Sequence, residues 1–335
     1  MNAVALPTAT LVPLAAVLGL AATGASRRLA LRLGVVRKPD PFVAQHTAPV
    51  ACLGGVALAA ATAGALALDA DHASVSPGMV AGALLFLSAG FTDDLCGLSP
   101  SRKLGVQLLC AAVAVALGAT LPLSGDRLLD GVAAVIWIVV IVNAVNFTDV
   151  CDGLVAGVSV IALLALGAIQ PSLWAPCLAV AGACLGMLAF NAPPASVFLG
   201  DAGSHFLGFV LAALSLEAVH EARAANLALA GALVLGVPLF ELVFVTFARV
   251  RRHEPWWRGS ADHFALRLQA AGLSRWQTDA VAWTAAGVFA FAGWSAARLS
   301  AAGRIAVLAF VVAALVASSG VLLQWDATPT PRRPT

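Results

Sequence analysis

Long apolar stretches separated by short polar breaks dominate this chain. Eleven such runs lie near 7–26, 50–69, 77–92, 104–122, 131–147, 154–170, 173–190, 203–219, 225–247, 278–298 and 303–324. A helix needs roughly 20 apolar residues to cross the hydrocarbon of a bilayer. The pattern therefore predicts an all-α polytopic membrane protein with about 10–11 transmembrane helices. Ala, Gly and Val fill many of the runs, and small residues let neighbouring helices approach closely. The longest polar stretch, 248–277, is expected to be a cytoplasmic loop with some helix. A tail over 326–335 is expected to be disordered, which leaves 1–325 as a single transmembrane domain.

Composition agrees with that pattern. The chain is 61% hydrophobic and only 11% charged, where a soluble domain carries roughly 25% charged residues. A net charge of +2 is too small to imply a nucleic-acid partner. None of the six cysteines forms a CxxC pair, and in apolar runs they are expected to act as small hydrophobes. Tyrosine is absent, so tryptophan must supply any interfacial belt. Trp137, Trp256, Trp257 and Trp325 stand near expected interfaces.

Orientation follows from the basic residues. No Lys or Arg precedes the first run, which points to a true first span rather than a cleaved signal peptide. With the N-terminus outside, 15 of the 19 Lys and Arg residues fall in inner segments, as the positive-inside rule requires. The C-terminus is then cytoplasmic.

Acidic residues change the picture from architecture to chemistry. Asp93 and Asp94 end the third run, Asp149 and Asp152 follow the fifth, and Asp201 opens the eighth. Alternating spans place all three positions on the cytoplasmic face. Carboxylates beside a bilayer are costly and usually functional, so one metal and phosphate site on that face is expected.

Three motifs carry these acids. Gly90-Phe91-Thr92-Asp93-Asp94-Leu95-Cys96-Gly97-Leu98 is followed by Lys103 and Gln107. Adjacent carboxylates repel and call for a cation or a shared proton, although a solvated pair at a helix end would look the same. In the second motif, Asn143, Asn146, Asp149 and Asp152 recur at every third position before Gly153. That step drifts round a helix, so the helix is expected to finish near Asn146, with both Asp residues on a turn. Asn143 could equally be a packing hydrogen-bonder. In the third, Asn191 precedes Pro193-Pro194 and then Phe198-Leu199-Gly200-Asp201-Ala202-Gly203-Ser204. The prolines force an extended loop, and Asp201 would open a helix whose free N–H groups favour phosphate or serve as its N-cap. A basic stretch from Arg249 to Leu268 holds His253, Asp262 and His263, and a topogenic loop would carry the same charges.

Together these motifs resemble the polyprenyl-phosphate N-acetylhexosamine-1-phosphate transferases (glycosyltransferase family 4), nearest the undecaprenyl-phosphate GlcNAc-1-phosphate branch. The family's GFxDDxxGL…K is matched by Gly90 to Lys103, and its FNxPPAxxFxGDxGS by Phe190 to Ser204. Its NxxNxxDGxDGLxxG is matched by Asn143 to Gly157 with Val150 replacing a glycine. Lys38-Pro39, His46 and Leu53-Gly54-Gly55 are similar to its first loop, with Ala51 and Cys52 in place of the usual Pro-Arg. Of the branch's HxHH only His263 matches, since Ala265 and Leu266 replace two histidines, while Gly272-Leu273-Ser274 is kept.

The resemblance implies transfer of HexNAc-1-phosphate, with GlcNAc-1-phosphate favoured, from a UDP-N-acetylhexosamine to undecaprenyl phosphate at the plasma membrane. UMP would be released and a lipid-linked intermediate of a cell-envelope glycan formed. It implies Mg²⁺, with Mn²⁺ an alternative, held by Asp201, Asn146 and Asp94. Asp93, Asp94, Lys103 and His263 become the catalytic set, Asp93 acting on the lipid phosphate. Asn143, Asp149, Asp152, Asn191 and Phe198 become substrate-binding residues. Homodimers are common in the family. The alternatives are the phospho-MurNAc-pentapeptide transferase of the same family and, from another class, a cation-coupled transporter. A CDP-alcohol phosphotransferase fits poorly, because Gly157 stands where its DGxxA motif needs Arg.

Overall fold

A computed structural model describes residues 8–37, 49–69, 75–120, 123–222, 224, 226–255, 257 and 259–325. Lys38-Pro39, His46, Trp256 and the tail over 326–335 lie outside the described residues. Every apolar run forms helix. The order is α1 (Thr8–Leu33), β1 (Val36–Arg37), β2 (Val50–Ala51), α2 (Gly54–Ala67), α3 (Pro77–Cys96), α4 (Pro100–Ala116), α5 (Arg127–Thr148), α6 (Leu154–Ile169), α7 (Trp174–Asn191) and α8 (Gly200–Ala222). Then follow α9 (Asn226–Val234), α10 (Gly236–Arg251), α11 (Phe264–Ala270), α12 (Arg275–Ala296) and α13 (Ala301–Leu322). The protein is an all-α, multi-pass membrane protein. By length and composition six described helices could each cross a bilayer, and the α9–α10 pair, bent by 71°, would make a seventh. The shorter α2 and α6 are also apolar.

Local chemistry sets the helix ends that matter. At the start of α3, the Ser76 side chain accepts the Met79 N–H, and Pro77 occupies the first turn, where its missing donor costs nothing. At its end Gly97 takes a left-handed conformation (φ 64°) and returns its N–H to the Asp93 carbonyl, the usual glycine stop. That turn directs the Leu98 N–H onto Asp93 Oδ1 at 2.6 Å. Helix α5 runs two residues beyond the expected stop at Asn146, and Asp149 caps it with its N–H on the Asn146 carbonyl.

Helix α8 is the axis of the bundle, with 94% of its apolar window buried. It packs against α2, α3, α5 and α9, and Phe86 of α3 stacks on Phe209 at 5.2 Å. Trp137 donates its indole N–H to Ser215 of α8 at 2.9 Å, so it joins two helices.

Two glycine contacts bring motif-bearing backbones together. A Cβ on Gly90 would lie 2.1 Å from the Asp201 carbonyl oxygen, and one on Gly55 would lie 2.2 Å from the Gly203 nitrogen. Because both obstacles are backbone, Gly90→Ala must push α3 off α8. Overpacking of this kind costs about 1–3 kcal/mol. A clearly lowered unfolding temperature in detergent is expected, and wild-type stability would contradict the contact.

The small β1–β2 ribbon adds a third tie. Ala51 bridges to Val197, the Phe198 N–H bonds the Ala51 carbonyl at 2.8 Å, and the Gly54 N–H returns to Phe198 at 3.1 Å. The first loop is thereby stitched to the third motif, which places Arg37 at the same bundle end as the acidic residues.

Candidate active site

All three acidic motifs converge at one end of the bundle. Lys103, near the start of α4, is the hub. Its Nζ lies 2.8 Å from Asp93 Oδ2, 3.5 Å from Asp201 Oδ2 and 3.2 Å from Asn146 Oδ1. Asn146 in turn donates to Asp201 Oδ1 at 2.6 Å and to the Ser204 hydroxyl at 2.9 Å. Residues from α3, α4, α5 and α8 thus meet around one cation.

Asp94 has a different position from its neighbour. Its two oxygens accept the N–H groups of Asp201 and Ala202, each at 2.9 Å. It is therefore Asp94, from another helix, that caps α8, and not Asp201 as the sequence allowed. Two of the α8 N–H groups expected to be free for phosphate are taken by this carboxylate. Arg37 stands 3.8 Å from Asp94 Oδ1 with about half of its side chain exposed.

Two clefts open here. The larger, of about 1330 Å³, is lined by apolar residues such as Val139, Val140, Leu104 and Leu242, with Asp93, Asn143, Lys103 and Asp201 at its polar end. The smaller, of about 360 Å³, is polar and lined by Asp149, Asp152, Asn191, Phe198, Arg249 and His263, among others. Arg37, Lys103, Asn146, Phe147, Asp201 and Trp257 line both.

Within the smaller cleft several expected residues are already engaged. Asp152 Oδ2 accepts the Ala195 N–H and the Arg275 guanidinium, each at 3.0 Å. Asn191 accepts the Gly153 N–H at 3.1 Å and donates to the Val197 carbonyl at 3.0 Å. His263 Nδ1 is 2.7 Å from Glu241, a fully buried carboxylate that also takes the Phe264 N–H. Orienting an imidazole through one nitrogen leaves the other for a ligand.

Burial pushes the Asp149 carboxyl up to about 8. The Asp201 charge adds to this, Arg37 opposes it, and Asp94 and Asp152 raise it further. An unfolded Asp titrates near 3.9. Between about pH 4 and pH 8 the folded chain therefore holds a proton that the unfolded chain has lost, and stability falls as pH rises through that window. Asp149→Asn should flatten this slope, raising the unfolding temperature at pH 8 more than at pH 5. An unchanged slope in detergent melts would refute the assignment.

Comparison with known proteins fits this geometry. The sequence model for glycosyl transferase family 4 matches residues 76–219, a span that runs from Ser76 through all three acidic motifs. A probable undecaprenyl-phosphate N-acetylglucosaminyl 1-phosphate transferase of Bacillus subtilis is 32% identical, with 74% of this chain and 73% of the relative covered. A decaprenyl-phosphate N-acetylglucosaminephosphotransferase of Mycobacterium tuberculosis is 30% identical over 93% of this chain and 88% of its own length. The chain belongs to glycosyl transferase family 4. A phospho-N-acetylmuramoyl-pentapeptide-transferase of Enterococcus hirae is 36% identical over half of each chain.

As a family 4 transferase the chain also shows residues that the motifs did not predict. Glu241 lies inside the run 225–247, and an acid within an apolar run was the available signal. Arg37, Arg249 and Arg275 were read only as topogenic charges. Arg249 is in fact buried, bonded to Ser260 at 3.0 Å and placed over the Phe147 ring at 5.2 Å.

Proposed function

We propose that this transferase moves a HexNAc-1-phosphate group, GlcNAc-1-phosphate first among the candidates, from a UDP-sugar to undecaprenyl phosphate and releases UMP. The observation that carries the reading is the wall shared by the two clefts. An apolar cleft ending in Lys103 suits a polyprenyl chain with its phosphate at the polar end. A polar cleft lined by Phe198, Asp152, Asn191 and His263 suits a nucleotide sugar. Two anionic substrates would meet where Lys103, Asn146 and Asp201 line both.

Bringing two phosphates together requires cations. Among the described residues no three of His, Cys, Asp or Glu stand close enough to hold a metal ion alone. The donors present do fit Mg²⁺ or Mn²⁺ in another mode, in which one or two carboxylates share the ion with substrate phosphates. Asp201 and Asn146 would hold it, with Asp94 behind them fixing the start of α8. The ion would polarise the transferring phosphoryl group. Lys103 stabilises charge on that group, and Asp93, held against Lys103, orients the lipid phosphate. A strong base is unnecessary, since a phosphate monoester loses its second proton near pH 6. His263, oriented by Glu241, reaches the diphosphate or the sugar. The positive-inside count puts this bundle end in the cytosol, with the N-terminus outside, in the plasma membrane.

The deciding experiment is UMP release by purified protein with undecaprenyl phosphate, Mg²⁺ and a panel of UDP-sugars including UDP-MurNAc-pentapeptide. Release with UDP-GlcNAc is expected. Release with the pentapeptide donor alone would favour the other branch of the family. No release with any donor would sink the reading and return attention to cation-coupled transport.

A further inference from the structure

One helical turn below Lys103, Asn146 and Asp201, on the same three helices, lies a second polar layer. Gln107 follows Lys103 on α4, Asn143 precedes Asn146 on α5, and His205 follows Asp201 on α8, at three- and four-residue spacings that keep each pair on one helix face. Gln107 and His205 are each only 1% exposed, and neither lines either cleft. Polar groups this deep are costly unless they bond one another.

They do so, and the bonds fan out from Asn143, which Gln107 Nε2 also contacts in return at 3.4 Å. The ends of the chain are backbone carbonyls, which can only accept. Asn143 Nδ2 donates to the Val139 carbonyl at 2.8 Å and to Gln107 Oε1 at 2.7 Å. This turns Gln107 Nε2 towards His205 Nε2, 2.9 Å away. At the other end His205 Nδ1 lies 2.6 Å from the Asp201 carbonyl, so Nδ1 carries the hydrogen and Nε2 accepts. One tautomer and one amide orientation satisfy the whole layer. Rotating α4 or sliding α5 would break it.

We propose that Gln107 and His205 are positioning residues for phosphosugar transfer. Their bonded layer holds α4, α5 and α8 in register, so that Lys103 Nζ, Asn146 and the Asp201 carboxylate converge at the shared wall. The inference rests on the function proposed above. It predicts a loss in turnover without a matching loss in donor binding, because neither residue touches the clefts. A layer that served stability alone would lower the unfolding temperature and leave the turnover of the folded fraction intact.

The test uses the full-length protein carrying Gln107→Met, His205→Phe or both. Met preserves length while severing the middle link, and Phe fills the imidazole space without the bonds. Each single variant should lower kcat for UMP release about tenfold, with KM for the UDP-sugar within about twofold of wild type. The double variant should be no slower than about the slower single, since the layer can be broken only once. If His205→Phe fails to fold, Gln107→Met decides alone. Wild-type kcat in the folded variants, or kcat losses that multiply in the double, would overturn the inference and leave the transferase reading standing. Wild-type protein that releases no UMP from any donor overturns both.

Discussion

Asp201→Asn is expected to lower UMP release by about 10³-fold, equivalent to roughly 4 kcal/mol of transition-state stabilisation. The substitution keeps the side chain's shape and removes one negative charge. Asp201 stands in the first turn of α8, with Oδ1 on Asn146 at 2.6 Å and Oδ2 facing Lys103 at 3.5 Å. It is the carboxylate that lines both clefts, so no other acid can take its place between the two phosphates. The α8 start survives the change, because Asp94 caps it through backbone N–H groups that any residue at 201 would supply. The variant should insert, elute as wild type in detergent and lose activity across the whole Mg²⁺ range. Turnover within tenfold of wild type would remove Asp201 from the metal and phosphate site.

Lys103→Met carries the second-largest expected effect, a loss of about 10²–10³ in kcat, the range seen when one donor is removed from a charge-stabilising site. Here stability should fall as well. Lys103 pairs with Asp93 at 2.8 Å, and Asp93 is 8% exposed. Removing one partner from a buried pair costs about 3–5 kcal/mol. A fifth of the Lys103 side chain reaches solvent, which argues for the lower end. Lys103→Arg keeps the charge but should restore activity poorly, because a planar guanidinium cannot replace a compact ammonium among three converging oxygens. Comparing kcat with the unfolding temperature for both variants separates the effects. An arginine variant with full turnover would show that charge alone suffices.

Much of this protein was legible before any coordinates. The eleven apolar runs gave the helices because hydrophobic length is a local property of the chain. Pro193 and Pro194 marked the break that separates α7 from α8, since backbone preference acts residue by residue. Charge alternation placed Asp93, Asp149 and Asp201 at one bundle end, and the structure brings them there.

Other features could not be read this way. Nothing in the residues around Asp94 states that it caps a helix more than a hundred positions later. Nothing around Glu241 states that it orients His263. Those contacts depend on which helices neighbour α8, and that follows from small-residue packing such as Gly90 against Asp201 and Gly55 against Gly203. Asn143 shows the limit most clearly. Its motif spacing suggested either a ligand contact or a packing bond, and the structure gives it a bond to Gln107 together with a place in the wall of the larger cleft.

The sequence by itself determined an all-α membrane protein, the approximate positions of its helices and the family to which its acidic motifs belong. Tertiary structure alone decided the division of labour among them: Asp94 on the α8 backbone, Asp93 and Asp201 on Lys103, Asp152 on Arg275. Carboxylates are identical in type along the chain, and only the donor each one meets after folding makes them chemically different.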